Sequence, residues 1–525
     1  MRAFFLCYSK YMNILMQTPV SLLEQNNLKV IGANKISRVI LDVFIRLTEY
    51  SIIIVTDASS DQCKSFEKIL YDNYGKVIIV SNYDNLTSEI DISTIDIAFV
   101  NDIKMNRMLH FRSTEKLLFP VVSLIHSFGT RTAYHDYVLN LPFIKKCDIY
   151  ICPSYDTQQT LIKLGFPKKQ TSVLHYGLNT QLYTPVKDKR KLRKRYNFPL
   201  NKDILLILSR ITPALKMDLF PIFRMMPELI EKNKNIHLLI VGVVHDQSYF
   251  NELLRYIDKF KLSDYITFES EPNQDYIEHY YQLSDVFLSL TDYCGETYGL
   301  TVMEAMSCQL PVVINKMSGY KMHITNSKEG YYIPAISGNV YFDSTFFYRS
   351  IDYFGDLYAQ SISHDNSSLI NALISLTSNI SLRLEMGKNA RNTIINRNTL
   401  QHMINGFSKI FKHAVSVRDF SLSNITFTPY SSINALLSHF PTRYLQKSDV
   451  FYITKYAKDL LEKNKEYFIF ESHLNRYKQI NDILYLISNG VSTLVELLDM
   501  INVPAEEVEA SLLYLIKHNF VAIST

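Results

Sequence analysis

Short apolar runs rich in β-branched residues alternate with segments of helical spacing along most of the chain. The runs in its first part lie at 51–57, 76–80, 96–100, 120–125 and 148–152. A second series lies at 203–209, 236–244, 265–270, 285–290 and 311–315. Alternation of this kind predicts parallel strands whose sheet is covered by helices on both faces. We therefore predict an α/β protein with two doubly wound domains.

The pattern changes near residue 420. Residues 477–525 predict helix, turn, helix, helix and strand, which is the order of a small winged-helix-like α+β unit. Thr493 and Glu496 have the spacing of a capping box at the second of these helices, and Pro504 suits the first turn of the third. We therefore predict an accessory domain at 420–525.

The composition is that of a globular protein, with 47% hydrophobic and 20% charged residues in a chain of 525. A net charge of +4 gives no case for nucleic acid binding. Six scattered cysteines without zinc spacing suit a reducing compartment. The N-terminal stretch lacks a signal-peptide cleavage site, and no apolar run reaches the roughly 18 residues of a membrane helix. We expect a cytoplasmic protein.

A basic cluster, KDKRKLRKR, occupies residues 187–195. Such a cluster attracts anionic lipid head groups by about 1 kcal/mol per charge near a membrane surface. The same composition is typical of a solvated basic helix. Peripheral contact with a membrane and a plain surface helix are therefore both open.

The stretch at 289–314, SLTDYCGETYGLTVMEAMSCQLPVVI, carries Glu296 and Glu304 with seven residues between them. Its pattern predicts a strand, a turn-rich loop that holds Glu296, and a helix that holds Glu304. Backbone N–H groups of Gly299 and Leu300 at the helix start, together with the helix dipole, favour a phosphate or diphosphate. Carboxylates beside it can accept hydrogen bonds from sugar hydroxyls. The stretch therefore predicts a sugar diphosphate ligand.

The string ETYGLTVMEAM, followed by CQLPVV, resembles the E-x7-E signature of retaining glycosyltransferases with the GT-B fold, specifically family 4. The resemblance implies that Glu296 holds hydroxyls of the donor sugar and that Glu304 holds the ribose. It also implies that the backbone of Gly299 and Leu300 holds the diphosphate. Thr301 lies in the same string, and we assign it to the donor site with them.

Two cations and a histidine extend the resemblance. Arg210 and Lys216 follow an apolar run and resemble the family's S-R…K phosphate clamp, in which a planar fork of donors stands beside a point charge. The loops at the carboxyl ends of parallel strands line the ligand crevice of such sheets. His126 lies at such a strand end and resembles the family's histidine that contacts the donor sugar.

Glycines mark further points of the resemblance. Gly32 lies where the family's first loop approaches the donor, and Gly319 where a later loop approaches the substrate. Gln309 departs from the pattern, because the family usually has glycine there and a left-handed residue is expected. The segment at 173–185 resembles the hinge between the two domains. The predicted domains are 1–185, Rossmann-like and on the acceptor side; 186–415, Rossmann-like and nucleotide-sugar-binding; and 420–525.

The resemblance implies two Rossmann-like domains that face a cleft and an enzyme of the hexosyltransferase type. It would move a sugar from a nucleotide diphosphate sugar to an acceptor with retention of anomeric configuration. The acceptor stays open between a glycan, a lipid-linked molecule and a protein. Because Arg210, Lys216 and helix dipoles can neutralise the diphosphate, we expect neither a metal ion nor a cofactor.

The alternative is a non-catalytic nucleotide-sugar sensor coupled to a DNA-binding winged helix. Glu506, Glu507 and Glu509 open the helix that would enter the major groove, so phosphate repulsion opposes this function and we expect no nucleic acid partner. The other face of that helix is apolar and comprises Val508, Leu512, Leu513, Leu515 and Ile516. This face forms either the unit's own core or a surface for protein docking or self-association. If it docks an acceptor, removal of 420–525 should spare donor hydrolysis.

Overall fold

This computed structural model describes residues 12–24, 32–101, 106–127, 138–213, 215–325, 327–338, 357–426, 428, 433–462 and 477–524. Most of the N-terminal stretch in which we expect no signal peptide lies outside these residues. The chain divides into two compact units. The first unit comprises Met1–Gly177 and Asn398–Pro429, and the second comprises Leu178–Arg397 and Tyr430–Thr525.

The described strands of the first unit form a seven-stranded parallel sheet in the order β3-β2-β1-β4-β5-β6-β7. Its elements are β1 (Asn13–Gln17), α1 (Val20–Leu23), α2 (Gly32–Leu47), β2 (Ser51–Thr56), α3 (Ser60–Tyr74), β3 (Ile79–Asn82), α4 (Leu86–Glu89), β4 (Ile97–Val100), α5 (Asn106–Thr114), β5 (Val121–Leu124), β6 (Ile149–Cys152), α6 (Tyr155–Lys163) and β7 (Thr171–Val173). Strand order reverses between β1 and β4, as in a doubly wound domain. The sequence pattern did not predict β1, because its apolar run at 14–16 is only three residues long.

The second unit contains a six-stranded parallel sheet in the order β10-β9-β8-β11-β12-β13. Its elements up to residue 397 are α7 (Lys189–Arg195), β8 (Asp203–Leu208), α8 (Phe220–Lys232), β9 (Ile236–Val241), α9 (Gln247–Lys259), β10 (Ile266–Glu269), α10 (Ile277–Leu283), β11 (Val286–Ser289), α11 (Leu300–Ser307), β12 (Val312–Asn315), β13 (Gly330–Ile333), β14 (Ala335–Ser337), β15 (Ser363–His364), α12 (Asn366–Ser378) and α13 (Ile380–Arg397). The strands of this sheet are buried and supply much of one apolar core with α8, α9 and α12. The prediction of two Rossmann-like parallel-sheet domains is confirmed.

The next helix, α14 (Leu400–Val417), returns to the first unit. Phe407 packs against Phe44 and Phe99 with ring centroids 5.1 and 5.3 Å apart. Phe411 packs on the same two rings at 5.9 and 5.6 Å. This buried aromatic cluster explains why the structure divides the chain differently from the sequence, which assigned the helix to the domain at 186–415.

From Tyr430 onward the chain belongs to the second unit. Its elements are α15 (Ile433–Leu436), β16 (Arg443–Tyr444), β17 (Phe451–Ile453), α16 (Lys455–Glu462), α17 (Ile480–Ser488), α18 (Leu494–Met500), α19 (Ala505–Lys517) and β18 (Val521–Ile523). Strand β16 pairs in parallel with β14, and β17 pairs with β18 in an antiparallel two-stranded sheet. The predicted capping box of Thr493 and Glu496 is present at α18 with both of its hydrogen bonds.

The apolar face of α19 is not a docking surface. Val508, Leu512, Leu513, Leu515 and Ile516 are each at most 2% exposed and lie in one core cluster with α17 and β18. Helix α19 is buried from Ser511 to Lys517, whereas Ala505, Glu506 and Glu507 at its start are exposed, so the end that would meet DNA phosphates carries two outward carboxylates. Of the two roles left open for this face, the structure assigns it to the core. Among the described residues, no helix is both long and apolar enough to cross a membrane.

Candidate functional site

Most of the sequence-predicted site residues lie where the second sheet reverses its strand order, between β8 and β11. Loops that follow two such neighbouring strands diverge and leave a crevice at the carboxyl edge of the sheet. Arg210 and Lys216 lie on the loop after β8, and Glu296 lies on the loop after β11. The two loops are joined directly, because the amide of Asp292 donates to the carbonyl of Lys216 at 3.3 Å.

Lys216 and Glu296 form an ion pair at this crevice. Lys216 Nζ lies 2.5 Å from Glu296 Oε2, and the Glu296 side chain is 8% exposed. The amide of Tyr298 donates to Oε1 of the same carboxylate at 3.3 Å. Burial would raise the pKa of Glu296, but the Lys216 ammonium outweighs it and holds the pKa below its ordinary value. The carboxylate is therefore ionised at neutral pH and can accept hydrogen bonds.

The side chain of Arg210 is hydrogen-bonded to the backbone of its own loop. Its Nη2 donates to the carbonyl of Leu215 at 3.0 Å, and the residue is half-buried. Within the part of the chain that the structure describes, it forms no ion pair. A guanidinium in this state keeps donors available for an anion.

Gly242, which sequence reasoning missed, lets the end of β9 pass beside the Arg210 loop. A Cβ at Gly242 would lie 1.8 Å from the carbonyl oxygen of Ser209, so any side chain there would displace the backbone that carries Arg210. The signal was present in the sequence, since this glycine interrupts the apolar run at 236–244.

Gly299 starts α11 in the left-handed region, with φ of 99°. A Cβ at this position would lie 2.5 Å from Cε1 of Tyr320, so the turn needs glycine for both its backbone angle and its space. No side chain caps this helix start. The amides of Leu300 and Thr301 belong to the first turn, where N–H groups have no carbonyl partner within the helix. They form the positive end that the sequence predicted for a diphosphate.

The hydroxyl of Thr301 faces inward rather than away from the protein. Hydrogen bonds with Ser289 and Thr301 surround the hydroxyl of Tyr320, which lies 2.8 Å from Ser289 Oγ. Burial raises the pKa of Tyr320 strongly, and the hydroxyl is therefore neutral. Thr301 thus contributes to packing at the start of α11, and only its amide remains a candidate for anion binding.

Gly319 allows close approach of two backbone segments. A Cβ at Gly319 would lie 2.2 Å from the carbonyl oxygen of Thr297. In the same 3₁₀ turn, Ser318 Oγ donates to the carbonyl of Glu296 at 2.5 Å. The described structure therefore gives Gly319 a role in seating the loop that carries Glu296, whereas the sequence assigned it to a substrate contact.

Glu304 lies in α11 as predicted, but it is only 2% exposed. Its Oε2 accepts a hydrogen bond of 2.7 Å from the hydroxyl of Tyr281. The ring of Tyr183 packs against that of Tyr281 with centroids 6.0 Å apart. Burial, with the Glu304 carboxylate nearby, raises the pKa of both tyrosines, so both stay protonated. Nothing in the spacing of α10 indicated Tyr281, because its contact with Glu304 joins two different helices.

Gln309 has φ of 66°, so the turn after α11 does require a left-handed residue. Glycine would adopt this conformation without cost, whereas a residue with a Cβ pays about 1 kcal/mol. Gly387 lets α13 pack closely here, because a Cβ on it would lie 2.2 Å from the carbonyl oxygen of Gln309. Gln309 in place of glycine therefore adds strain to this turn, but the residue still adopts the left-handed conformation.

Two predicted site residues lie in the first unit, one after β5 and one at the start of α2. His126 follows β5 and is 7% exposed, with Nε2 at 3.2 Å from Ser37 Oγ on α2. Asn101, after β4, donates to the carbonyl of Ser37 at 2.8 Å. Burial lowers the pKa of His126 to about 4, so the imidazole is neutral at pH 7. Gly32 is the exposed first residue of α2.

Comparison with known proteins gives one family match. Residues 188–337 match the family model of glycosyl transferases group 1. This stretch is therefore similar to the glycosyl transferases of group 1. The matched stretch contains Arg210, Lys216, Glu296 and Glu304, whereas His126 lies outside it. Among the residues that the structure describes, no cluster of three or more His, Cys, Asp or Glu side chains could hold a metal ion.

Relatives and solved structures resemble the chain at low identity. The alpha-monoglucosyldiacylglycerol synthase of Acholeplasma laidlawii is 23% identical over 197 residues, which cover 37% of this chain and 47% of the relative. A D-inositol 3-phosphate glycosyltransferase of Streptomyces bingchenggensis is 24% identical over 176 residues, which cover 32% of this chain and 38% of the relative. The chain therefore matches less than half the length of these two relatives.

The structure of Anabaena HepE in complex with UDP and glucose superposes with a TM-score of 0.53 and 16% identity. The superposition covers 77% of this chain and 100% of that one. At this identity the likeness shows the fold, and the two parallel-sheet domains match GT-B glycosyltransferase structures.

Proposed function

We propose that this protein is a retaining GT-B glycosyltransferase of family 4. It would transfer a hexose from a nucleotide diphosphate sugar to an acceptor. The observation that carries the proposal is the Lys216–Glu296 ion pair of 2.5 Å at the reversal point of the second sheet. Glu296 lies on the loop that leads directly into the uncapped start of α11, within the stretch that matches the group 1 family model. Cation, carboxylate and helix N-terminus together suit a sugar diphosphate.

The positive groups would act on the departing diphosphate. Lys216 and Arg210 would neutralise its phosphate oxygens, and the amides of Leu300 and Thr301 would donate to them. Groups that are already oriented before the reaction stabilise developing charge without the cost of reorganisation. We assign no metal ion or cofactor to the reaction, because these groups supply the positive charge.

The carboxylates would hold the neutral parts of the donor. Glu296 would accept hydrogen bonds from hydroxyls of the sugar, and binding would exchange part of its pairing with Lys216 for contacts with the donor. Glu304 would hold the ribose while Tyr281 fixes its orientation. In the first unit, the neutral His126 would bind a sugar hydroxyl and the backbone at Gly32 would approach the donor. Retention of configuration rests on the family resemblance, and no residue is assigned as a nucleophile.

The acceptor is proposed only as a glycan, a lipid-linked molecule or a protein, handled in the cytoplasm. The basic helix α7 is only partly available for an anionic membrane surface. Arg193 is buried and pairs with Asp285 at 2.5 Å, whereas Arg190, Lys191, Lys194 and Arg195 are exposed. Because α7 exposes four positive charges, peripheral contact with an anionic membrane surface stays part of this proposal.

A panel of nucleotide diphosphate sugars tests the proposal. A true donor at a hundred times its dissociation constant should stabilise the protein by about 2.7 kcal/mol and raise its melting temperature. The donor that stabilises the protein should then be hydrolysed slowly without an acceptor, which a non-catalytic sensor would not do. Folded protein that is neither stabilised by any donor nor able to hydrolyse one would overturn the proposal.

A further inference from the structure

The last turn of α19 reaches into the donor-site loops of the same unit. Lys517 Nζ lies 2.6 Å from Asp292 Oδ2, and both side chains are 1% exposed. Lys517 also donates to the carbonyl of Ala359 at 2.6 Å. Asp292 opens the loop that carries Glu296, and its Oδ2 accepts a hydrogen bond of 3.2 Å from the amide of Asp218 on the Lys216 loop. A single buried ion pair therefore joins the end of α19 to both loops.

The residue after Lys517 extends this junction. His518 hydrogen-bonds through Nε2 to Gln360 at 3.0 Å and through Nδ1 to Arg224. Gln360 donates in turn to Asp218 at 3.0 Å. Asp218 also accepts a hydrogen bond of 2.9 Å from the hydroxyl of Tyr249. The polar groups in this junction are buried and bonded to one another, which favours one fixed arrangement of the Lys216 loop.

A second contact from the C-terminal part of the chain holds the other end of the Glu296 loop. The carbonyl of Phe440 accepts from the amide of Ser318 at 3.1 Å, and the carbonyl of His439 accepts from Lys321 Nζ at 2.6 Å. These bonds hold the 3₁₀ turn that seats Gly319 against Thr297. The loop between β11 and α11 is thus held at its start through Lys517 and at its end through this turn.

We infer that the C-terminal segment, described at 433–462 and 477–524, positions the loop that carries Glu296. Lys517 makes the contact and is therefore a positioning residue. The inference rests on the proposed function. Stability alone does not explain the pair, because a buried ion pair is often no better for stability than apolar residues of similar volume. A fixed loop geometry does explain it, since small displacements of reacting groups cost catalysis heavily. The structure thus argues against the expectation that removal of 420–525 spares donor hydrolysis.

A neutral pair tests the positioning role without leaving a buried charge. The double variant Lys517→Met, Asp292→Asn removes the ion pair and keeps similar side-chain volumes. We expect a folded protein whose kcat for donor hydrolysis falls at least about tenfold, while the KM for donor changes less than about threefold. A matched control, Arg193→Met with Asp285→Asn, removes another ion pair at the opposite end of β11. The control should keep its kcat within about threefold of the wild type.

Hydrogen–deuterium exchange of the unliganded full-length protein gives a second readout that does not depend on activity. The amides at 291–299 should exchange faster in the double variant than in the wild type or the control. Unchanged exchange at 291–299 would overturn the inference, and so would a kcat equal to that of the control. If the double variant failed to fold, the ion pair would be needed for folding, and this result would also overturn the inference. A wild type that binds and hydrolyses no donor contradicts the proposed function, while the exchange result still decides the role of Lys517.

Discussion

The ammonium of Lys216 lies 2.5 Å from Oε2 of Glu296, although 80 residues separate the two in the sequence. The pair forms because parallel strands β8 and β11 are neighbours in the sheet, so the loops at their carboxyl ends meet. It brings together the cation that we propose for the phosphates and the carboxylate that we propose for the sugar hydroxyls. The first predictions test this arrangement.

Glu296→Gln should lower kcat at saturating donor by at least about tenfold, because an amide cannot form the same charge-assisted hydrogen bonds. The fold should survive, since the side chain keeps its size. Steady-state kinetics with the donor found in the panel measures the effect. Glu228→Gln is the control, because Glu228 pairs with Lys232 at 3.0 Å on a helix surface. Turnover near that of the control would remove Glu296 from the site.

Arg210→Ala should reduce kcat/KM by at least about tenfold, because it removes a planar cation from the proposed diphosphate site. The melting temperature should change little, since the guanidinium makes one described hydrogen bond to its own loop. Arg255→Ala provides the comparison, because Arg255 is 69% exposed and pairs with Glu252 on α9. Equal activity in the two variants would contradict the role of Arg210.

Activity should persist in EDTA, because Arg210, Lys216 and the start of α11 supply the positive charge that a metal ion gives in other enzymes. Transfer or hydrolysis rates measured before and after chelation should agree within about twofold. Complete loss of activity in EDTA with recovery on addition of manganese would show that the reaction needs a metal.

Tyr281→Phe should leave the buried carboxylate of Glu304 without the 2.7 Å hydrogen bond from Tyr281. We expect a loss of about 1–3 kcal/mol in the free energy of unfolding, and a higher KM for donor because Glu304 is no longer oriented. Denaturant unfolding and steady-state kinetics measure the two effects. Tyr276→Phe, at a side chain that is 44% exposed, should change neither. A stability loss with an unchanged KM would limit Tyr281 to a structural role.

Stability should depend on pH through His126. Burial lowers its pKa from 6.5 to about 4, so the folded state binds this proton less readily than the unfolded state. The stabilisation is therefore complete above pH 6.5 and is lost as pH falls toward 4, by about 3 kcal/mol at most. Urea unfolding between pH 4 and 7 should show this slope for the wild type and a smaller one for His126→Gln. His413→Gln, at an exposed position of α14, should keep the wild-type slope.

Local sequence patterns determined much of this protein. Apolar runs of β-branched residues predicted both parallel sheets, because the two buried faces of such strands leave a continuous apolar signal. The ETYGLTVMEAM string placed Glu296 on a loop and Glu304 in a helix, and the structure has them there. The spacing of Thr493 and Glu496 predicted the capping box, because both of its hydrogen bonds lie within one helical turn.

Only the tertiary structure decided which distant segments meet. Helix α14 joins the first unit because Phe407 and Phe411 bury their rings against Phe44. Lys517 and Asp292 form an ion pair across 225 residues of sequence. No periodicity within a helix or a loop encodes such contacts, since they depend on how packed elements face one another. The sequence by itself therefore determined the two sheets and the signature loop, whereas packing decided that the C-terminal helix holds that loop in place.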